Sequence, residues 1–230
     1  MISKLKYLKY SLRVIYKNWK EEKEHYSQHN EDLLVKGLLK NVKSFVDIGA
    51  NDGVLFSNTY KFAKNGSKGL CIEASPKAYR KLVLNHLLHP RVKCLKCTLS
   101  DKIETVYFEE KGYEGVLSNI TKDKNKSTFK TKTKLWSDIV SSYPEFRNVD
   151  LISLDVEGHE LEVLSSFSSN TISSKILIIE TDKIEKELLY NLDFLKDYEP
   201  KYTNNVNTIF LNRNTTFPTI NPLPLGFFTC

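Results

Sequence analysis

The sequence predicts a three-layer α/β fold: a mostly parallel sheet with helices on both faces and a C-terminal antiparallel hairpin. Three observations predict it. Short apolar runs alternate with amphipathic helical stretches, the pattern of a parallel sheet wrapped by crossover helices. The first run breaks into a Gly-rich turn, Ser44 to Gly53, S-F-V-D-I-G-A-N-D-G. Four runs end in acids on what should be one edge of the sheet: Asp47 and Asp52, Glu73, Asp101, then Asp155 with Glu157. In such Rossmann-like sheets, ligands bind at the carboxyl ends of the strands.

The chain has 230 residues, enough for one domain with a large core. Apolar content of 40% and charged content of 27% are those of a soluble globular protein. The net charge is +6, yet only five of the 34 basic residues are Arg. Arg is the usual reader of phosphates and base edges, so the Lys-rich balance argues against a nucleic-acid partner. Cys94 and Cys97 form a lone C-x-x-C with no second pair to complete a zinc site. Their odd spacing in a strand puts them on opposite faces, and they read as buried free thiols. The N-terminus has no signal-peptide core, and no run is long enough to span a bilayer, so the expected location is cytoplasmic.

Residues 3–20 read as a basic amphipathic helix, with Leu5, Leu8, Leu12, Ile15 and Trp19 on one face. It would pack on its own domain or lie peripherally on an anionic membrane. We take residues 1–26 as this helical segment, 27–216 as the main domain and 217–230 as an extended Pro-rich tail. Ser27 is the expected N-cap of the next helix. Phe45, Val46 and Ile48 make the first strand, and Val54, Leu55, Tyr60 and Phe62 the helix after its turn. Lys68 to Ala74 is the second strand, and Pro76 opens the helix behind it. Val92 to Leu99 is the third, Glu104 to Glu109 a short extra strand, and 110–129 a polar loop. Asp150 to Glu157 and Lys175 to Glu180 are the fourth and fifth, each followed by a helix. Tyr198 to Tyr202 and Thr208 to Asn212 form the hairpin.

The Gly turn narrows the ligand. A dinucleotide pyrophosphate wants three glycines and bare amides at a helix N-terminus. Here the third glycine is missing, and Asp52 would oppose a phosphate. A ligand carrying sulfonium and ammonium charges, S-adenosylmethionine, suits such a turn. Gly49, Asn51 and Gly53 would admit its methionine moiety, with Asp47 and Asp52 supplying negative potential. Glu73 stands 20 residues after Gly53, where an acid hydrogen-bonds ribose hydroxyls. Ser100 and Asp101 could face the adenine. Asp155 and Glu157 alternate with apolar residues and so share a face, and His159 is a natural proton acceptor near neutral pH. Glu160 would cap the helix that follows.

V-D-I-G-A-N-D-G, the I-E-A-S-P of Ile72 to Pro76 and the L-D-V-E-G-H-E of Leu154 to Glu160 together resemble the FkbM family of S-adenosylmethionine-dependent methyltransferases. The S-Q-x-x-E-D of Ser27 to Asp32 resembles the segment that often precedes its first strand, which brings Gln28 into the cofactor set. The likeness covers roughly residues 27–182. It implies a class I methyltransferase fold and O-methylation, often of sugar hydroxyls on glycans. Asp155, Glu157 and His159 are then the catalytic candidates, with Asp155 or His159 as the base. A divalent ion on Asp155, Glu157 and Asp182 is a less favoured route to the same proton, and no resident metal is expected. A nicotinamide oxidoreductase, or a binding module that kept the fold, are the alternatives.

Overall fold

The structure, a computed structural model, describes residues 13–111, 117–121 and 129–230. An eight-stranded sheet carries the chain. In order of appearance its strands are β1 (Ser44–Ile48), β2 (Lys68–Glu73), β3 (Val92–Lys96), β8 (Asn148–Leu154), β9 (Ser173–Glu180), β10 (Tyr198–Thr203), β11 (Asn207–Asn212) and β12 (Phe228–Thr229). In space they run β12-β10-β11-β9-β8-β1-β2-β3. β3, β2, β1, β8 and β9 are parallel, and β11, β10 and β12 add antiparallel pairings. The order reverses between β1 and β8. That is the switch point where an open α/β sheet leaves a crevice.

Helices α2 (Glu31–Leu38), α3 (Tyr60–Lys64), α4 (Pro76–Asn85), α5 (Trp136–Ser142), α6 (Glu160–Ser165) and α7 (Lys186–Tyr190) flank the sheet. Residues 13–20 (α1) are helical as well. There Ile15 is buried, while Tyr16 and Trp19 are exposed. The rest of the expected amphipathic helix, residues 3–12, lies outside the described residues. Among the described residues, no helix is long and apolar enough to cross a membrane.

The central strands are the continuous apolar runs of the sequence. β8 and β9 are apolar on both faces because helices cover both. One core lies under α5 and α6, with Trp136, Phe146, Ile152 and Leu177. The other lies under α2, α3 and α4, with Leu34, Phe45, Leu151 and Ile178. Cys97 belongs to the first and Cys94 packs against the second, so the two thiols do face opposite ways, and both are free.

Four boundaries differ from expectation. The third strand breaks at Cys97, whose N–H still bonds Glu73 O at 3.1 Å. Thr98–Leu99 (β4) then turns away to pair with β7 (Phe129–Lys134). The segment expected to be a polar loop is strand in part. Thr105–Lys111 (β5) pairs antiparallel with Leu117–Thr121 (β6) and with β7, giving a second sheet ordered β4-β7-β5-β6. Residues 112–116 and 122–128 lie outside the described set. The N-cap position of α2 is Asn30, at φ 68°, but its side chain makes no capping bond; the Ser27 hydroxyl accepts from the first-turn Asp32 N–H at 3.3 Å and donates to the Asp32 carboxylate at 2.8 Å. The fourth strand ends at Leu154, so Asp155 to His159 form a turn.

Candidate active site

The turn after β1 is held from three sides. The Gly49 and Ala50 N–H groups both bond Ile72 O at 3.0 Å. Gly49 has φ +84°, and a Cβ there would lie 1.6 Å from the Asp155 carbonyl oxygen. Gly49 is thus glycine for two reasons, backbone sign and contact with the next turn. Gly53 has φ +78°, and a Cβ there would strike Leu82 and the buried His86 ring. The helix does not follow at once: α3 starts at Tyr60, after an irregular stretch. Within that stretch Asp52 accepts from Val54 N–H at 2.9 Å and Leu55 N–H at 2.8 Å, so its charge is spent on the turn. Asn85, absent from the sequence reading, donates to Asp52 O at 2.8 Å and anchors the same loop to α4.

Asp47 and Glu73 stand behind this turn. Asp47 is 6% exposed and accepts from the Thr59 hydroxyl at 2.5 Å. Burial pushes its pKa up to about 6, and the Thr59 bond offsets part of that. Glu73 accepts Asn51 N–H at 2.9 Å through one oxygen and Ser75 N–H at 2.7 Å through the other. Asn51 sits at φ 50°. Burial raises the Glu73 pKa, against the lowering effect of those bonds.

A cavity of about 400 Å³ runs along the carboxyl edge of the sheet. Asp47, Gly49, Asn51 and Glu73 line its middle. One end is walled by Ala78, Cys97, Thr98 and Leu99, with Phe108 of β5 and Ile120 of β6. Phe108 is buried and stacks on Phe129 of β7, ring centroids 4.8 Å apart. The second sheet therefore forms part of this wall. Ser100 and Asp101, expected here, do not line the cavity. Ser100 is buried, and its hydroxyl meets His159 Nε2 at 3.0 Å and donates to Asp101 at 3.1 Å.

The other end is acidic. Asp155, Glu157 and Glu180 line it beside Asp182, Lys183 and Asn207. Glu157 reaches the others through a turn rather than by strand alternation: its φ is 58° and that of Gly158 is 96°. Glu160 holds this turn. It is 1% exposed and accepts from Val156 N–H at 2.9 Å and Gly158 N–H at 3.1 Å, instead of capping α6. Lys183 bonds Glu157 at 2.7 Å and Glu180 at 3.2 Å. Burial opposes its charge, yet the two carboxylates hold its pKa above the ordinary lysine value. Asp155 is exposed by surface area and lines the cavity among three other carboxyl groups. Partial desolvation of its carboxyl there raises its pKa, and the charges of Glu180, Glu157 and Glu160 raise it further. Glu180 is raised by burial and by Glu157.

His159 also lines the cavity, but both ring nitrogens have partners: Ser100 on Nε2, and Glu162 at 3.4 Å on Nδ1. It ties the end of β4 to the turn after β8. Gln28 lines the cavity from above, brought there by a bridge between Ser27 and Phe56. Glu31, fully buried, accepts from Asn204 at 2.9 Å and Asn207 at 2.7 Å, which fixes the rim near β11. Glu180 is the residue the sequence reading missed. It is a fifth strand-end acid, on the strand beside β8, and the rule that selected the other four selects it too.

The carboxyl-edge cavity at the switch point, the Gly turn and the buried strand-two acid fit an adenosyl ligand with a positively charged methionine end. The family model for the methyltransferase FkbM domain matches residues 47–204, more than half of the chain. Solved structures share the fold. A TehB-like S-adenosylmethionine-dependent methyltransferase from Corynebacterium glutamicum is 10% identical, with a TM-score of 0.50, covering 89% of this chain and 97% of its own. A protein assigned as a caffeoyl-CoA O-methyltransferase from Staphylococcus aureus is 11% identical, also at 0.50, covering 80% of this chain and 82% of its own. No curated protein sequence matches. With three motifs in order around one cavity and the family model spanning them, this chain belongs to the FkbM family of S-adenosylmethionine-dependent methyltransferases.

Proposed function

We propose that the enzyme methylates a sugar hydroxyl of a glycan or polysaccharide. The observation that carries this is the acidic end of the cavity, Asp155, Glu157 and Glu180 with Asn207, continuous with the cofactor end. Carboxylates and amides are the side chains that hydrogen-bond neutral hydroxyls, and Leu55 and Phe56, 46% and 54% exposed, offer an apolar surface at the mouth. S-adenosylmethionine supplies the methyl group on an already reactive sulfonium. Asn51, Gly49 and Asp47 would hold its methionine part, Glu73 its ribose, and Thr98, Leu99, Phe108 and Ile120 would surround its adenine. The protein's main contribution is then positioning. Asp155 would accept the proton that the acceptor hydroxyl loses. Its raised pKa makes it a stronger base than an ordinary aspartate. His159 is better described as the strut that keeps the Asp155 turn against Ser100.

The acceptor is tested with methyl-labelled adenosylmethionine and panels of glycans, proteins and nucleic acids. Label in an alkali-stable sugar methyl ether is the expected result. Label confined to protein or nucleic acid would overturn the sugar reading and leave the methyltransferase assignment standing.

The ribose role has its own test. Glu73→Gln keeps the shape but turns an amide toward one of the two N–H groups the carboxylate now accepts. Bonds to a charged group contribute about 1.5–3 kcal/mol. Calorimetry with adenosylhomocysteine should therefore show binding weakened about tenfold or more. Unchanged affinity would remove Glu73 from the cofactor site.

A further inference from the structure

We propose that Asp155, Glu157 and Glu180 hold a divalent metal ion of the hard, oxygen-binding kind, Mg²⁺ or Mn²⁺, at the acceptor end of the cavity. One oxygen from each side chain lies within 4.8 Å of the other two. The three come from adjacent strand ends: Asp155 and Glu157 from the turn after β8, Glu180 from the last position of β9. Lys183 answers part of the charge, bonding Glu157 Oε2 and Glu180 Oε1. With all three ionised, this one lysine faces three carboxylates and leaves Asp155 without a bonded cation.

A second observation is independent of the clustering. Glu180 is 7% exposed and lines the cavity, and its Oε2 is buried with no hydrogen-bond partner. Buried carboxylate oxygens need a donor or a cation, because their lost hydration is not otherwise replaced. Lys183 satisfies the other oxygen of the same group. Oε2 is therefore an acceptor still to be answered, and because the Asp155 carboxyl is within hydrogen-bonding reach of Glu180, what answers it is a cation or a proton shared by the two acids.

The donor set selects the ion. It is all carboxylate oxygen, without the imidazole or thiolate that zinc and copper favour. A six-coordinate ion would keep positions for water or for acceptor oxygens. Two neighbouring hydroxyls of a sugar ring could take them, and the ion would orient and acidify the one to be methylated. With one oxygen of each side chain on the ion, the second Asp155 oxygen stays free for the hydroxyl proton. The ion's role rests on the acceptor-end reading given above, but its binding does not.

The test is a titration of the full chain with Mn²⁺ alone, without cofactor or acceptor, followed by the electron paramagnetic resonance signal of free Mn²⁺. One saturable site per chain, competed by Mg²⁺ and lost in Glu180→Gln, is expected. Glu157→Gln serves as a second variant if Glu180→Gln does not fold, as judged by circular dichroism. No saturable Mn²⁺ binding by the wild type, or undiminished binding in a folded variant, overturns the proposal. Absent Mn²⁺ binding with intact sugar methylation would sink the ion alone. A bound ion with no sugar methylated would sink the acceptor class alone.

Discussion

Asp155→Asn is expected to slow single-turnover methyl transfer by about 10²–10⁴-fold, the usual size of a positioned proton-transfer group. Adenosylhomocysteine affinity should stay within about twofold, since the substitution leaves the Asp155 backbone that packs on Gly49 unchanged and the product carries no sulfonium charge. The split follows from where the residue sits. The Asp155 side chain faces the acidic end, while its backbone N–H bonds Ile48 O at 3.0 Å and its carbonyl packs on Gly49. Asparagine preserves that backbone and the side-chain volume and removes the charge, which is the property needed by a proton acceptor or an ion ligand. His159→Ala is the comparison. Both of its nitrogens are engaged with Ser100 and Glu162, so its loss should lower the melting temperature and slow transfer less. If His159→Ala is inactive with unchanged stability, while Asp155→Asn keeps most of its rate, the base is the histidine.

Gly49→Ala should abolish measurable adenosylhomocysteine binding and cost about 2 kcal/mol of folding stability or more. Two penalties combine. A left-handed backbone costs a non-glycine residue about 1–3 kcal/mol, and Gly49 has φ +84°. The new methyl would also sit 1.6 Å from Asp155 O, so one of the two turns must move. For a chain of this length each kcal/mol shifts the melting temperature by roughly 2–4 °C, giving a fall of about 4–8 °C or more. Gly158→Ala separates the two penalties. Its φ is +96°, but nothing lies within 4 Å of the added carbon. It should show the smaller loss, from strain alone. Equal losses in the two variants would mean that the Gly49–Asp155 contact contributes nothing beyond backbone strain.

The parallel half of the fold was legible because its signals are local. An apolar run that stops at Gly49 fixes the end of β1, and Pro76 behind a Ser75 cap fixes the passage from β2 to α4, whereas the irregular stretch before α3 carried no such signal. The second sheet was not legible. β7 reads F-K-T-K-T-K and buries only Thr133, and β6 reads L-S-N-I-T, so hydropathy gives no clear apolar alternation to read. Their pairing is set by partners along the chain and by Phe108 and Phe129 stacking. Within the site, Asp47, Gly49, Asn51 and Glu73 line the cavity as their positions on the first turn and second strand end predict, whereas Asp52 and Gly53 do not line it. The Ser100 and Asp101 expectation failed by one step of the chain: the break at Cys97 turns Thr98 and Leu99 toward the cavity and Ser100 toward His159. Asp182 lines the cavity, but the acid that clusters with Asp155 and Glu157 is Glu180. The strand carries Glu180 to the sheet edge, and Asp182 lies beyond it.

The short strand β12 bears on how copies of this chain behave toward one another. An eight-stranded sheet ends in two rows of backbone donors and acceptors that could pair with another molecule. At the β3 end, exposed Lys93 and Lys96 stand along the row, and charge there discourages strand addition. At the other end, Pro200 removes a donor from β10 and the register shifts between Pro200 and Tyr202. β12 then pairs with Tyr202 and Thr203, and Cys230 N–H bonds Lys201 O at 3.0 Å. Residues 228–230 thus pair along β10 just beyond Pro200. Their service is colloidal rather than chemical: they spend the free hydrogen bonds of the sheet on the molecule itself.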